Sequence, residues 1–224
     1  AGCYNTFMRW IITCIAAVFM GVVVVMGGCG RLGDEKEIRK AWADYDRAAD
    51  KRDGARAVEI VTKGTLEYLG ELVRVALDGR REDVLKLRPS EMFMVLQIKS
   101  RGRREVFEKL DGAGYVRWAT EHGWWESEYL DIPELHKVHF INDDKAVAEM
   151  VIDGTTAGDP AVFLREDGKW KFSEASLYAF WDDLWEQDAK ELGVPVADLI
   201  AEAIAIDGGW ENGKLLPHAW GPMK

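Results

Sequence analysis

The fold of this chain is decided by one stretch, which runs from Leu135 to Phe172 and reads LHKVHFINDDKAVAEMVIDGTTAGDPAVFLREDGKWKF. Four short apolar segments in it are separated by clusters of turn-forming residues, among them Asn142-Asp143-Asp144 and Asp167-Gly168. Apolar segments joined by such turns are typical of β-hairpins. The stretch therefore predicts an antiparallel meander with strands at 135–141, 146–152, 161–165 and 170–173.

The sequence on both sides of this stretch has helical periodicity. Upstream, Asp34 and Glu37 have the spacing of a capping box, and apolar residues then recur at intervals of three and four. Further helices are predicted at 58–77, 90–99, 106–110 and 115–122, with two more in the tail at 177–192 and 196–204. The expected fold class is α+β, with N-terminal helices packed on a curved antiparallel sheet and a helical C-terminal extension.

An uncharged, largely apolar run from Trp10 to Met26 follows Arg9 and predicts a secretory signal. Met26-Gly27-Gly28-Cys29 resembles the lipobox of bacterial lipoproteins, in which the cysteine is lipidated and becomes the mature N-terminus. The alternative is an uncleaved signal anchor, because about 20 apolar residues can span a bilayer. Both alternatives predict export and attachment to the outer face of a bacterial membrane.

Three segments are expected along the chain. Residues 1–29 form the leader, with 1–7 interpreted as read-through upstream of a start at Met8. Residues 34–174 form the α+β domain, and residues 175–224 form a helical extension packed on it. The extension carries Trp181 and Trp185 at helical spacing, beside acidic residues such as Asp182. Helices that lie on membranes usually have a basic polar face, so we expect this stripe to pack on the outer face or across the mouth of the sheet.

Composition excludes several classes of partner. Beyond the leader, 28 Lys and Arg stand against 39 Asp and Glu, and an acidic domain repels nucleic acid. All three cysteines, Cys3, Cys14 and Cys29, lie in the leader, which leaves no disulfide or thiolate metal site in the folded part. No zinc, phosphate-loop or dinucleotide signature occurs, so no metal and no cofactor are predicted.

The residue types that could do acid/base chemistry are few. His136 and His139 lie three apart on a predicted strand, so they are expected on opposite faces and unable to share a metal. On the next strand, Ala146, Ala148 and Met150 share the apolar face that helices should cover. Glu149 is then expected on the outer face, which argues against its use as a general base.

Residues 163–172, FLREDGKWKF, resemble the last hairpin of the nuclear transport factor 2-like superfamily, which includes SnoaL-like and ketosteroid-isomerase-like proteins. Trp42 and Tyr45 on the first helix resemble the opening of that family, and the similarity covers residues 35–172. The resemblance implies a cone-like sheet with a pocket inside it. The pocket candidates are Trp42, Tyr45, Trp118 and His122, and none of them is assigned a catalytic role.

Two main hypotheses for function follow, with a third beside them. The first is a membrane-tethered, extracytoplasmic binding or scaffold protein without catalysis, with the membrane and either a small apolar ligand or a protein as partners. The alternative is a SnoaL- or ketosteroid-isomerase-like enzyme that uses a general acid/base in the cone pocket. The third is a surface protein that caps or inhibits a partner.

Overall fold

A computed structural model describes residues 30–124, 133–152, 155–156, 159–207 and 217–223. Within these ranges the protein is α+β, with nine helices and one antiparallel sheet. No helix in these ranges is both long and apolar enough to cross a bilayer. The helices are α1 (30–50), α2 (Gly54–Ile60), α3 (Lys63–Asp78), α4 (Arg81–Val84), α5 (Pro89–Arg101), α6 (Arg104–Phe107), α7 (Gly112–Glu121), α8 (Leu177–Leu192) and α9 (Val196–Asp207).

The sheet confirms the predicted antiparallel meander. Its four main strands lie in the order β1-β2-β4-β5, and a two-residue strand, β3, pairs with β2. The β4–β5 hairpin turns at Asp167 and Gly168, both with positive φ, which is the geometry of a tight two-residue turn. The strands are β1 (Glu134–Phe140), β2 (Lys145–Ile152), β3 (Thr155–Thr156), β4 (Ala161–Glu166) and β5 (Lys169–Ser173).

Helix α1 crosses one face of the sheet. The ring of Trp42 lies edge-on to Phe172 at 4.9 Å and to Phe163 at 6.3 Å, and its Nε1 donates to the carbonyl of Pro133. The predicted start of this helix at Asp34 is wrong, because the helix already includes residue 30. Asp34 instead accepts a hydrogen bond from Trp170 Nε1 on β5, at 3.1 Å.

The segment predicted as one helix over 58–77, with an alternative bend near Gly64, is two helices. Helix α2 ends at Ile60, and α3 begins at Lys63 with the hydroxyl of Thr62 capping it. Between them, Val61 forms a bridge with Phe172 on β5, and Thr62 N donates to the Phe172 carbonyl at 3.0 Å. This hydrogen bond pairs part of the free edge of β5. The chain therefore leaves the helical conformation between α2 and α3 at the point where it contacts the sheet.

The tail helices pack on helix α5. Helix α8 contacts both α5 and α9, and α9 also packs on α5. The tail therefore packs on a helix of the domain, and its predicted placement on the outer face or across the mouth of the sheet remains a prediction. Asp182 on α8 accepts the backbone N–H of Ser90 in the first turn of α5 at 2.7 Å, which supplies a buried carboxylate to a helix N-terminus. Trp185 meets Phe93 of α5 with ring centroids 5.6 Å apart.

Helices α3 and α7 approach each other at glycines. A Cβ on Gly112 would overlap the carbonyl of Leu66 and meet the backbone of Gly70, so only glycine fits at this crossing. Gly64, on the same helix α3, has no atom within 4 Å of its Cβ position.

We expect Gly112→Ala to lower the free energy of unfolding by about 1–3 kcal/mol, because the methyl group would push α7 away from α3. Gly64→Ala is the matched control and should leave stability unchanged or slightly raised, since alanine favours helix over glycine. Urea denaturation of the two variants measures both values. Equal stability of the Gly112 variant and the parent would contradict the close crossing.

Candidate functional site

The predicted pocket residues fall into two pairs. Trp42 and Tyr45 lie together on α1 with ring centroids 6.3 Å apart, and both contact the ring of Phe172. Trp118 and His122 stack at 4.1 Å at the end of α7. Trp42 and Tyr45 contact each other on α1, and Trp118 and His122 contact each other on α7. The pocket that all four residues were expected to line remains a prediction.

His122 has a structural role at the end of α7. Its backbone is the C-cap of the helix, and its ring Nδ1 lies 2.7 Å from the carbonyl of Trp118. Trp118 in turn packs edge-on against Phe107 and Trp124. The imidazole is exposed and satisfies the end of a helix, which is a common use of histidine at this position.

The two strand histidines lie on the same side as Glu149. His136 Nδ1 is 3.4 Å from one carboxylate oxygen of Glu149, and His139 Nε2 is 3.3 Å from the other. The prediction that they point to opposite faces is wrong, because the β1–β2 register shifts between Leu135 and Val138. A bulge changes the alternation of side chains along a strand.

The two histidines change the acidity of the Glu149 carboxyl. Hydrogen bonding to His139, and secondarily to His136, lowers the pKa of the Glu149 carboxyl, so Glu149 is a poorer base than an ordinary glutamate. Within the described ranges, no group of three histidine, cysteine or acidic residues could hold a metal ion. As predicted, Ala146, Ala148 and Met150 of β2 are buried and Glu149 faces outward.

The most unusual group is Glu174, which directly follows β5. It is only 4% exposed although it is a carboxyl, and it lies in a single 3₁₀ turn between β5 and α8. Tyr178 Oη on the first turn of α8 donates to Glu174 Oε1 at 3.5 Å. We call Glu174, Tyr178, Tyr45 and Tyr115 the Glu174 site, because the carboxyl acts electrostatically on all three tyrosines.

Burial governs the protonation of this site. Desolvation raises the pKa of Glu174 from the usual 4.5 to about 7, and the hydrogen bond from Tyr178 acts in the opposite direction. Desolvation, with a smaller contribution from the nearby carboxyl, also raises the pKa of Tyr45 and Tyr115. At neutral pH the site holds tyrosine hydroxyls and a carboxyl that is divided between its acid and its base form.

Such a set can donate and accept hydrogen bonds toward a neutral polar group. A carboxyl with a pKa near the working pH can also transfer a proton in either direction. The Glu174 site is therefore the place in the described structure where acid/base chemistry is physically best supported.

Sequence reasoning found Tyr45 but missed Glu174. Glu174 stands between the strand ending Phe172-Ser173 and the apolar run that begins at Ala175, where an acidic residue is expected to be a solvated turn. The one signal available was its position, one turn before Tyr178 and within an aromatic-rich tail. The 3₁₀ turn that carries it packs against α3, β4 and α8, and this packing is not visible in the local sequence.

Lys99 is a second buried titratable group. It is almost fully buried on α5, and desolvation lowers its pKa to about 8. Its Nζ donates to the carbonyls of Gly79 at 3.0 Å and Gly221 at 2.8 Å. These contacts tie the C-terminal segment to the end of α3, so we assign Lys99 a structural role.

Comparisons with protein-family models, with curated proteins and with solved structures found no match for this chain. Its family and function are therefore inferred from its own residues.

We expect the stability of the protein to fall as pH rises from about 4.5 to 7. Over this window the unfolded chain ionises Glu174 while the folded chain keeps it protonated, so the unfolding free energy decreases by an amount on the order of 3 kcal/mol and then levels off. Glu174→Gln should remove this decline and be the more stable protein at pH 8. Urea denaturation of the parent and of the Glu174→Gln variant across pH 4.5–8 measures this decline.

Glu67→Gln, a change on the exposed face of α3, is the control and should retain the decline. The burial of an ionisable Glu174 would be contradicted by parallel pH profiles for the parent and the Glu174→Gln variant.

Proposed function

We propose that this chain is an exported, membrane-anchored binding or scaffold protein of the nuclear transport factor 2-like kind that performs no catalysis. The observation that carries the proposal is the enclosure of Glu174. The carboxyl best suited to acid/base work is 4% exposed beneath the start of α8. A substrate would have to displace packed protein to reach it.

The remaining acid/base candidates support the same proposal. His122 is engaged with the carbonyl of Trp118 at the end of a helix, and Glu149 is held between two histidines on the outer face of the sheet. Each of these groups has a local partner and lies outside the covered face of the sheet. A binding or scaffold role needs none of them to react.

The cone-like shape and the family assignment belong to this proposal. They are supported by the antiparallel order β1-β2-β4-β5, by the tight turn at Asp167 and Gly168, and by α1 lying across the sheet through Trp42. These are the features on which the sequence resemblance rests. The helical extension beyond residue 174 would then be an addition to the cone that covers Glu174.

One observation favours a second function. The pKa of Glu174 lies near neutrality beside the hydroxyl of Tyr178, which is a suitable arrangement for a general acid/base in a SnoaL- or ketosteroid-isomerase-like enzyme. This alternative requires α8 to move so that a small apolar molecule can reach the carboxyl.

Membrane attachment is tested by the mature N-terminus. We expect mass spectrometry of the chain from bacterial membranes to find Cys29 as the first residue, carrying a diacylglyceryl group. Cys29→Ala should abolish that species, and Cys14→Ala, as the matched control, should alter neither the processing nor the lipid. An intact apolar run from Trp10 to Met26 would indicate the uncleaved anchor, and a mature chain in the soluble fraction would overturn attachment.

Catalysis is tested by Glu174→Gln, which keeps the shape of the side chain and removes its acid/base function. We expect this variant to complement a strain that lacks the protein as well as the parent does, at equal protein levels on an immunoblot. His122→Ala, which removes an exposed side chain at a helix end, is the control and should also complement. Failure of Glu174→Gln alone, with normal folding, would favour the enzyme.

A further inference from the structure

The turns of the two long hairpins and the start of α1 lie at one end of the sheet. The β1–β2 turn occupies residues 141–144, the β4–β5 turn lies at Asp167 and Gly168, and Arg165 N donates to the carbonyl of Asp144 at 2.8 Å. In this antiparallel order both turns stand at the same end of the strands. We call it the hairpin end.

Helix α1 runs from the hairpin end toward the opposite end. Near its start, the guanidinium of Arg31 lies 5.8 Å from the ring centre of Phe140, at the end of β1. Further along, Arg39 donates to the carbonyl of Leu135, and Trp42 donates to the carbonyl of Pro133. The contacts of α1 therefore move from the last to the first residues of β1, and its N-terminus is fixed at the hairpin end.

The length of chain between the anchor and α1 is short. Helix α1 includes residue 30, and the apolar run ends at Met26, so four residue steps join them. Four steps span at most about 14 Å when fully extended. If Cys29 carries the lipid, the distance is a single step. Under either mode of attachment, the hairpin end is held against the lipid headgroups.

The hairpin end presents apolar side chains toward that surface. Leu32, in the first turn of α1, is 72% exposed, and Ile141, in the β1–β2 turn, is 60% exposed. Large apolar side chains exposed to this extent are costly in water and favourable in the boundary between headgroups and acyl chains. Arg31 lies over the ring of Phe140 at the same end, where its charge can remain at headgroup level.

The charges around these residues are balanced. Lys145 and Lys169 begin strands at this end, and Asp143 and Asp144 occupy the turn beside them. Asp167 pairs with Lys63 at 3.1 Å. Because the local charges offset one another, contact with a membrane does not require anionic lipids.

We propose that the hairpin end is a lipid-contacting surface, with Leu32 and Ile141 inserted among the headgroups. It orients the domain so that α1 points away from the membrane. This inference rests on the membrane attachment proposed above, and it adds the surface and the orientation.

The test places the photocrosslinking amino acid p-benzoylphenylalanine at position 32 or 141 of the full chain in phosphatidylcholine vesicles with alkyne-bearing acyl chains. The control places the same residue at Asp50, which is exposed and lies about 30 Å further along α1. We expect lipid adducts from positions 32 and 141 and none above background from position 50. Co-flotation of each variant with the vesicles is measured first.

The outcomes separate the two proposals. A chain that floats with the vesicles but gives equal lipid crosslinking at positions 141 and 50 overturns the lipid-contacting surface and leaves membrane attachment intact. A chain that does not float overturns the attachment, and with it this orientation.

Discussion

Trp42 is the side chain through which the helices and the sheet are held together. Its ring packs edge-on to Phe163 and Phe172, and its single hydrogen-bond donor reaches the carbonyl of Pro133 just before β1. The ring is buried against residues of two neighbouring strands, and its polar atom has a hydrogen-bond partner. These contacts fix the distance and the angle of α1 relative to the sheet. The burial of Ala146 and Ala148 beneath the helices depends on that placement.

The position of α1 also accounts for the irregularity in β1. Arg39 donates to the carbonyls of Leu135 and His136, which lie where the register with β2 shifts. Carbonyls released by a bulge need new donors, and a guanidinium on a neighbouring helix can serve two of them. The same bulge brings His136 and His139 to Glu149, so the outer-face cluster is a consequence of how α1 meets the strand edge.

The C-terminal helix α8 begins three residues after Glu174, which directly follows β5. Burial of the turn that carries Glu174 against α3, β4 and α8 removes its carboxyl from water and raises its pKa. Burial of the carboxyl destabilises the fold as pH rises above the ordinary pKa of 4.5, and the penalty is complete above about 7, so other packing must offset it.

The amino-acid sequence by itself determined the fold class, the strands and the bounds of the tail helices near residues 177, 192 and 196. Alternating apolar residues and the turn at Asp167-Gly168 specify strands locally, and Gly193, with positive φ, ends α8 where expected. These features depend on neighbours along the chain, so they can be inferred without coordinates. The apolar run from Trp10 to Met26, the acidic charge and the absence of cysteines beyond Cys29 are likewise properties of the sequence.

Only the tertiary structure decided the roles that depend on distant partners. The break between α2 and α3 exists because Thr62 bonds Phe172, and Asp34 bonds Trp170 instead of capping a helix. Glu174 is unusual because it is buried in a turn that packs against α3, β4 and α8, which no local pattern around it encodes. Hydrogen bonds and desolvation act through space, so their consequences for a side chain appear once the elements that surround it are in place.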